Sequence, residues 1–126
     1  MAELISAPTR IPVPGGKVID EYVGRVTTGT DSVSVAHMVA PGGWSEPAQQ
    51  PAFDEVTVVL RGVVVVEVTD ADGGTTTLEV PAGQAVVTKA GERVRYSTGD
   101  VETEYVAVCL PAFSPDDVNR DPEEGP

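Results

Sequence analysis

The sequence predicts an all-β domain of the jelly-roll type. Valine is abundant, and short runs rich in Val and Thr recur with Gly or Pro between them, which is the pattern of a β-sandwich or barrel. No window of useful length has a convincing helical period. At 126 residues the chain has the size of one domain and is long enough to bury a single core. We find no internal repeat and no sign of a second domain.

The predicted strands are these runs, taken in chain order. They cover residues 32–39, 55–60, 63–69, 75–80, 84–88, 93–97 and 104–110. Residues 70–74 join the third and fourth runs as a hairpin turn, since their Asp and Gly residues tolerate the positive φ that such turns need. Strands of this number and length fit a jelly roll. Residues 115–120 have room for one helical turn at most.

The two ends of the chain are less regular. Residues 1–16 contain Pro8, Pro12 and Pro14, and proline disfavours strand pairing except at sheet edges. Residues 116–126 are acidic and almost without apolar side chains, a composition typical of disorder. We therefore expect one domain over residues 1–126, with its core at about 20–113, an N-terminal extension over 1–19 and a flexible tail over 116–126.

The composition limits the partners. The net charge is −12 and the eight Lys and Arg residues are scattered, so we expect no nucleic-acid partner. No apolar segment approaches the length that a bilayer requires, and residues 1–10 lack the features of a signal peptide. We expect no membrane partner and a cytoplasmic location. Cys109 is the single cysteine, and its apolar strand predicts a buried, unreactive thiol.

Two segments have motif-like spacing. Over residues 41–62, Glu55 and Gly62 are separated by six residues, and the positions upstream of Glu55 hold Ala48, Gln49, Gln50 and Pro51. The second segment begins at Gly83 and contains Lys89, Gly91, Val94 and Thr98 at fixed intervals.

Together these segments resemble the two motifs of the cupin family with the metal-binding histidines replaced. The first cupin motif has two His where this chain has Ala, Gln or Pro, and the second has Pro, His and Asn where this chain has Lys89, Val94 and Thr98. Segments 36–41, 90–96 and 108–115 resemble small single-domain cupins of the ethanolamine-utilisation type. The resemblance implies a jelly-roll barrel without a bound metal or cofactor. It also implies that residues 5–23 add a strand to a partner subunit.

The family resemblance implies that the motif glutamate, Glu55, faces the cavity. The period of two then places Thr57, Val59 and Arg61 on the same face of the strand. Val94 occupies the position of an inward-facing His, so Tyr96 and Thr98 line the cavity with it. The same alternation leaves the direction of His37 undecided.

Three residues are candidates for catalysis. Burial of Glu55 in an apolar barrel would raise its pKa and suit it to acid or base work near neutral pH, whereas the alternative is a structural Glu55 tied to a backbone amide, Tyr96 or Arg61. Tyr96 is a candidate donor to an oxyanion or enolate, and the alternative is packing with a satisfied hydroxyl. His37 is a candidate base or single ligand, and the alternative is a half-exposed strand residue without function.

The remaining candidates would bind a ligand. Trp44 and Phe53 flank the segment that carries the His residues in metal cupins, and large aromatic side chains at a barrel mouth form an apolar wall. Gln can orient a ligand, because its amide donates and accepts. The full set of expected binding residues is Trp44, Gln50, Phe53, Thr57, Val59, Arg61 and Val94.

The predicted function is a metal-independent cupin that binds a small organic metabolite and catalyses proton transfer, as an isomerase, cyclase or lyase does. One alternative is a dioxygenase that holds Fe, Zn or Mn with Glu55, Gln50, His37 and a water. The other is a non-catalytic ligand-binding or metabolic accessory protein. Outward faces such as Val56, Val58 and Leu60 need cover, which predicts a homodimer.

Overall fold

The computed structural model describes residues 2–120, which form nine β-strands and one short 3-10 turn. The strands are β1 (Thr9–Ile11), β2 (Val18–Val23), β3 (Ser34–Ala40), β4 (Asp54–Arg61), β5 (Val63–Thr69), β6 (Thr75–Pro81), β7 (Ala85–Thr88), β8 (Arg93–Thr98) and β9 (Thr103–Leu110). The seven predicted strands are β3 to β9, each within two residues of its expected ends. The 3-10 turn at Pro115–Asp117 matches the single turn expected there.

The strands form two facing sheets. The six-stranded sheet has the order β1-β2-β3-β9-β4-β7, and the three-stranded sheet has the order β6-β5-β8. All neighbouring strands are antiparallel, and alternate side chains point inward. The predicted all-β jelly roll is confirmed. No helix within residues 2–120 is long and apolar enough to cross a membrane.

The N-terminal segment belongs to the barrel of its own chain. Strand β2 pairs with β3, with Ile19 opposite Met38, and β1 pairs with β2. Residues 9–11 and 18–23 thus form strands of the chain's own sheet, while the expected core bounds and the strand added to a partner subunit stay predictions. The prolines leave β1 only three residues long at the sheet edge, where a missing N–H donor is tolerated.

The core joins both sheets. Its largest cluster includes Val59, Val64, Val66, Val94 and Tyr96. A smaller cluster consists of Phe53, Cys109 and Val118, so Cys109 is buried as predicted. The burial of Val118 fixes part of the segment expected to be a flexible tail, and residues 121–126 of that tail lie outside the described residues.

The outer face of the six-stranded sheet keeps some apolar side chains in solvent. Val58 is 37% exposed and Leu60 is 50% exposed, as the pattern of β4 predicted. This exposure is the premise of the expected homodimer, which stays a prediction.

Candidate functional site

A cavity of about 380 Å³ lies inside the barrel. Its wall comes from both sheets, from residues 11–17 before β2, and from the loop that contains Trp44 and Glu46. The polar and aromatic side chains that decide its chemistry are Lys17, Trp44, Glu46, Glu55, Tyr96, Tyr105 and Arg120. The cavity therefore mixes aromatic surface with charges of both signs.

Glu55 reaches the cavity from β4, as predicted. Burial raises its pKa to about 7, and the negative charge of Glu46 acts in the same direction. The Lys17 cation and hydrogen bonds with Thr57 and Cys109 oppose the rise. The hydroxyl of Thr57 donates to Glu55 Oε2 over 3.4 Å, which is a long hydrogen bond. Near neutral pH, Glu55 is therefore present in both protonation states.

Tyr96 enters the cavity from β8 and Tyr105 from β9. The hydroxyl groups of Tyr96 and Thr88 are 2.9 Å apart and share a hydrogen bond. Burial raises the pKa of Tyr96 far above its ordinary value, and the charge of Glu55 adds to this. Burial raises the pKa of Tyr105 in the same way. Both phenols stay protonated at neutral pH and can act as hydrogen-bond donors.

Trp44 is held in place by Thr98 at the end of β8. The Trp44 backbone N–H donates to the Thr98 hydroxyl over 3.0 Å, and that hydroxyl donates to the Pro41 carbonyl over 2.7 Å. Thr98 occupies the position of the motif Asn, and here its hydroxyl serves the loop. These bonds fix Trp44 in the cavity wall.

Lys17 is a cavity residue that the sequence analysis missed. Its ammonium nitrogen lies 4.3 Å from the centroid of the Trp44 ring and 5.5 Å from that of Tyr105, both within the range of a cation–π interaction. Burial lowers the pKa of Lys17, and the charge of Arg120 contributes in the same direction. Glu46 and Glu55 partly compensate.

The sequence does contain a signal for Lys17. Lys17, Ile19 and Glu21 alternate with Val18 and Asp20 at the start of β2, and all three members of the first set line the cavity. Treating residues 1–19 as an extension outside the core concealed this period of two.

Arg120 is the second cation of the cavity, and it too was not predicted. Its guanidinium donates to the Gln49 side-chain oxygen over 2.9 Å and to Glu46 Oε2 over 3.2 Å. The backbone of Gln49 is paired with Val94 in both directions, which turns its side chain inward. Gln50, the expected ligand, is exposed and donates to the carbonyl of Gly91.

Four expected binding residues are buried without lining the cavity. Thr57, Val59 and Val94 are almost fully buried and face inward as the alternation predicted, but they fill the core. Phe53 packs in the smaller cluster, with its ring centroid 5.9 Å from that of Phe113. Of the predicted site, the structure brings together Glu55, Tyr96 and Trp44.

The predictions for His37 and Arg61 differ from the structure. Ala36 and Met38 line the cavity, so His37 lies on the outer face of β3, where its Nε2 is 2.6 Å from Glu104 Oε2. A bulge between Val59 and Arg61 breaks the alternation. Arg61 consequently pairs on the surface with Glu102 at 2.8 Å and Glu104 at 3.4 Å. Neither residue contributes to the cavity.

The cavity does not fit a metal ion of the kind that cupin motifs hold. Within residues 2–120, no three His, Cys, Asp or Glu side chains converge to hold a metal. The set suggested for a dioxygenase is not assembled, because His37 lies on the outer face of the sheet and Gln50 lies outside the cavity.

The chain is 47% identical over 107 residues to Endoribonuclease YbeY from Myxococcus xanthus (strain DK1622). The match covers 84% of this chain and 35% of that protein, so the chain spans about a third of the length of this curated relative. No protein-family model matches the chain.

Among solved structures, the chain is similar to oxalate decarboxylase from Bacillus subtilis. The structure of that enzyme at pH 4.6 matches with a TM-score of 0.78 and 16% identity, over 92% of this chain and 30% of the other. A tryptophan-to-phenylalanine variant matches with a TM-score of 0.79 and 16% identity, over 93% of this chain and 31% of the other. At this identity the likeness shows the fold alone, which is the cupin jelly roll.

The similarity to an endoribonuclease corrects the functional predictions. Assignment to the ethanolamine-utilisation-type cupins is wrong, as is the metabolite-binding isomerase, cyclase or lyase with its dioxygenase and accessory alternatives. The prediction of a small-metabolite partner and no nucleic acid is also wrong. The jelly-roll barrel is a fold that hosts many functions, and a net charge summed over the chain does not reveal that Lys17 and Arg120 line the same cavity.

Proposed function

We propose that this chain is an RNA-directed domain of the endoribonuclease kind, whose barrel holds one unpaired nucleotide of the RNA. The observation that carries the proposal is the 47% identity over 107 residues with Endoribonuclease YbeY from Myxococcus xanthus. Since the chain corresponds to 35% of that protein, we assign it the holding of RNA and leave cleavage to the whole protein. For such a domain we also propose a cytoplasmic location.

The contents of the cavity support this assignment. Proteins that recognise unpaired RNA stack the splayed bases on aromatic side chains and read their edges with hydrogen bonds. Trp44 and Tyr105 supply rings, and Glu46 and Glu55 supply carboxyl groups within the same cavity. Its volume of about 380 Å³ is in the range of small-ligand pockets and suits a single nucleotide.

The charges limit how the RNA is held. A chain of net charge −12 repels a phosphate backbone laid along its surface, so contact is confined to the cavity and its mouth. Lys17 and Arg120 are the cations there. A base that enters takes the place of the Lys17 ammonium on the Trp44 ring, and the ammonium then meets the adjacent phosphate. A duplex offers no splayed base, so single-stranded RNA is preferred.

Intrinsic fluorescence tests the proposal directly, because Trp44 is the only tryptophan of the chain. Titration with a short single-stranded RNA is expected to quench Trp44 emission, whereas the same sequence as a duplex leaves it unchanged. Stacking contributes about 1–3 kcal/mol per base, so Trp44→Ala should weaken binding by about 5- to 150-fold in an anisotropy assay with labelled RNA.

A matched control separates stacking from general loss of aromatic surface. Tyr22 is 40% exposed on β2 and does not line the cavity, so Tyr22→Ala should bind RNA like the unchanged chain. Trp44→Phe keeps a ring in the wall and should retain most of the affinity. The proposal is contradicted if no RNA binds at about 100 times the Kd typical of such complexes. It is also contradicted if duplex and single-stranded RNA bind equally well.

A further inference from the structure

Lys17 is placed unlike an ordinary lysine. Within residues 2–120 its ammonium makes no hydrogen bond or ion pair, and its contacts are the faces of Trp44 and Tyr105. The charged groups that act on it across the cavity are Glu46, Glu55 and Arg120, and the cavity is also lined by Glu21, whose carboxylate accepts hydrogen bonds from residues 26 and 27. Lysine amines become nucleophiles when they are desolvated in an apolar pocket or lie near another cation. Lys17 has surroundings of this kind.

The surroundings of Lys17 make its ammonium easier to deprotonate than that of a lysine in solvent. Burial lowers its pKa, and the positive charge of Arg120 adds to the effect. The chain contains one other lysine, Lys89, which lies exposed in the loop after β7. At a given pH a larger fraction of Lys17 is therefore the reactive free amine than its ordinary pKa would give.

We propose that Lys17 is a nucleophilic amine that forms a Schiff base with an aldehyde held in the barrel. This goes beyond the holding of RNA, because it assigns a covalent step to the cavity. The Nζ lone pair attacks the carbonyl carbon, a C–N bond forms, and the π electrons of the carbonyl move to oxygen. Loss of the resulting hydroxyl as water leaves the C=N bond, so one aldehyde is consumed and one water is released.

Glu55 lines the same cavity as Lys17 and can move the protons of this step. Its pKa of about 7 allows its carboxylate to take the proton that the attacking nitrogen loses and its acid form to protonate the departing hydroxyl. The phenols of Tyr96 and Tyr105 remain donors in the same cavity and can hydrogen-bond the carbonyl oxygen. The cavity thus contains an amine, a proton carrier and donors for oxygen.

Two kinds of ligand present such a carbonyl. One is a free aldehyde small enough for the cavity, and the other is RNA with an abasic ribose in its open form or with a 3′-terminal ribose cleaved by periodate to a dialdehyde. Both share the chemistry of the aldehyde group. The test therefore uses one probe of each kind on the unaltered chain.

The first arm uses pyridoxal 5′-phosphate with cyanoborohydride at pH 7, followed by peptide mass spectrometry. We expect Lys17 to be labelled at least about ten times faster than Lys89, in line with the activation of desolvated lysines. Glu55→Gln should slow labelling of Lys17 and leave Lys89 unchanged. Because both lysines are read in one folded sample, the ratio does not depend on the folding of any variant. Equal labelling, or faster labelling of Lys89, overturns the proposal.

The second arm uses a single-stranded RNA whose 3′ end carries a periodate-generated dialdehyde, with the unoxidised RNA as control. Crosslinking at Lys17 supports both the Schiff base and the holding of RNA. If pyridoxal 5′-phosphate labels Lys17 and the oxidised RNA does not, the Schiff-base proposal stands and the binding of RNA in the barrel is contradicted. Labelling by neither overturns the Schiff base, and Trp44 quenching still decides the RNA proposal separately.

Discussion

At the scale of residues, the pKa values of Glu55 and Lys17 are set by burial and by the other charged side chains of the cavity. Glu46 raises the pKa of Glu55, while Lys17 lowers it. The two carboxylates in turn support the charged form of Lys17 against burial and against Arg120. Arg120 is itself held by Glu46 and Gln49. Removing the charge of Glu46 should therefore lower the pKa of both Glu55 and Lys17.

The protonation of Glu55 makes stability depend on pH. Its pKa rises from an ordinary 4.5 to about 7 in the folded chain, so the folded state binds a proton that the unfolded state releases. The resulting stabilisation is fully present below pH 4.5 and is lost as pH rises through about 7. Over this window the unfolding free energy should fall by up to about 3 kcal/mol.

Glu55→Gln isolates this effect, because Gln preserves the shape and does not titrate. We expect the unfolding free energy of Glu55→Gln, measured by urea denaturation from pH 5 to pH 8, to decline less with pH than that of the unchanged chain. All other titrating groups are common to the two proteins, so their contributions largely cancel in the difference. Parallel pH profiles would show that Glu55 ionises in the folded chain as it does in water.

At the scale of elements, the Val- and Thr-rich runs predicted the strands β3 to β9. The family resemblance, extended by the period of two, placed Glu55 and Tyr96 on inward faces of β4 and β8, and both line the cavity. The prediction failed at Arg61, where a bulge shifts the register, because a bulge depends on the pairing with β9 and not on the sequence of β4 alone. His37 could be placed only once β3 had neighbours.

Lys17 and Arg120 were missed for a related reason. Both come from segments that looked irregular, one rich in proline and the other acidic. Their places are set by distant partners, since β2 pairs with β3 and residues near Arg120 contact Gln49 and Gln50. Local sequence patterns cannot reveal such contacts. The alternation of side chains over residues 17–21 was the one sign in the sequence that Lys17 faces the cavity.

Gly62, which connects β4 to β5, is a position where the fold requires glycine. Its φ is 81°, and a Cβ there would meet the Thr103 hydroxyl and lie 2.8 Å from the Glu102 carbonyl oxygen. We expect Gly62→Ala to lower the unfolding free energy by more than about 2 kcal/mol, from backbone strain plus the clash.

Gly83→Ala is the matched control for Gly62→Ala. Gly83 has a φ of 86° but open space around its Cβ, so it should lose only the strain of about 1–2 kcal/mol that a left-handed conformation imposes. Thermal melting of the two variants compares them directly. Equal losses would mean that the hairpin relaxes and that the contact with Thr103 has no cost.

At the scale of the whole molecule, the fold and the contents of the cavity are separate features. The jelly roll matches that of oxalate decarboxylase with TM-scores of 0.78 and 0.79, yet within residues 2–120 no cluster of His, Cys, Asp or Glu could hold a metal. The barrel therefore supplies a cavity, and its aromatic rings, carboxyl groups and two cations define what it can hold. Fold and site have separate signals in the sequence, which explains why the first was predicted and the second only in part.

The net charge of the whole molecule leads to the last prediction. If RNA meets this chain only at the cavity, Lys17 and Arg120 neutralise about two phosphates, and single-stranded RNA contributes about −0.7 per phosphate to the slope of log K against log salt. We expect a slope of about −1.4 in anisotropy titrations at several salt concentrations, and about −0.7 for Arg120→Gln. Arg95 on β8 does not line the cavity, so Arg95→Gln should leave the slope unchanged. A slope of about −4 or steeper would require a backbone path along the acidic surface and would contradict the cavity as the RNA site.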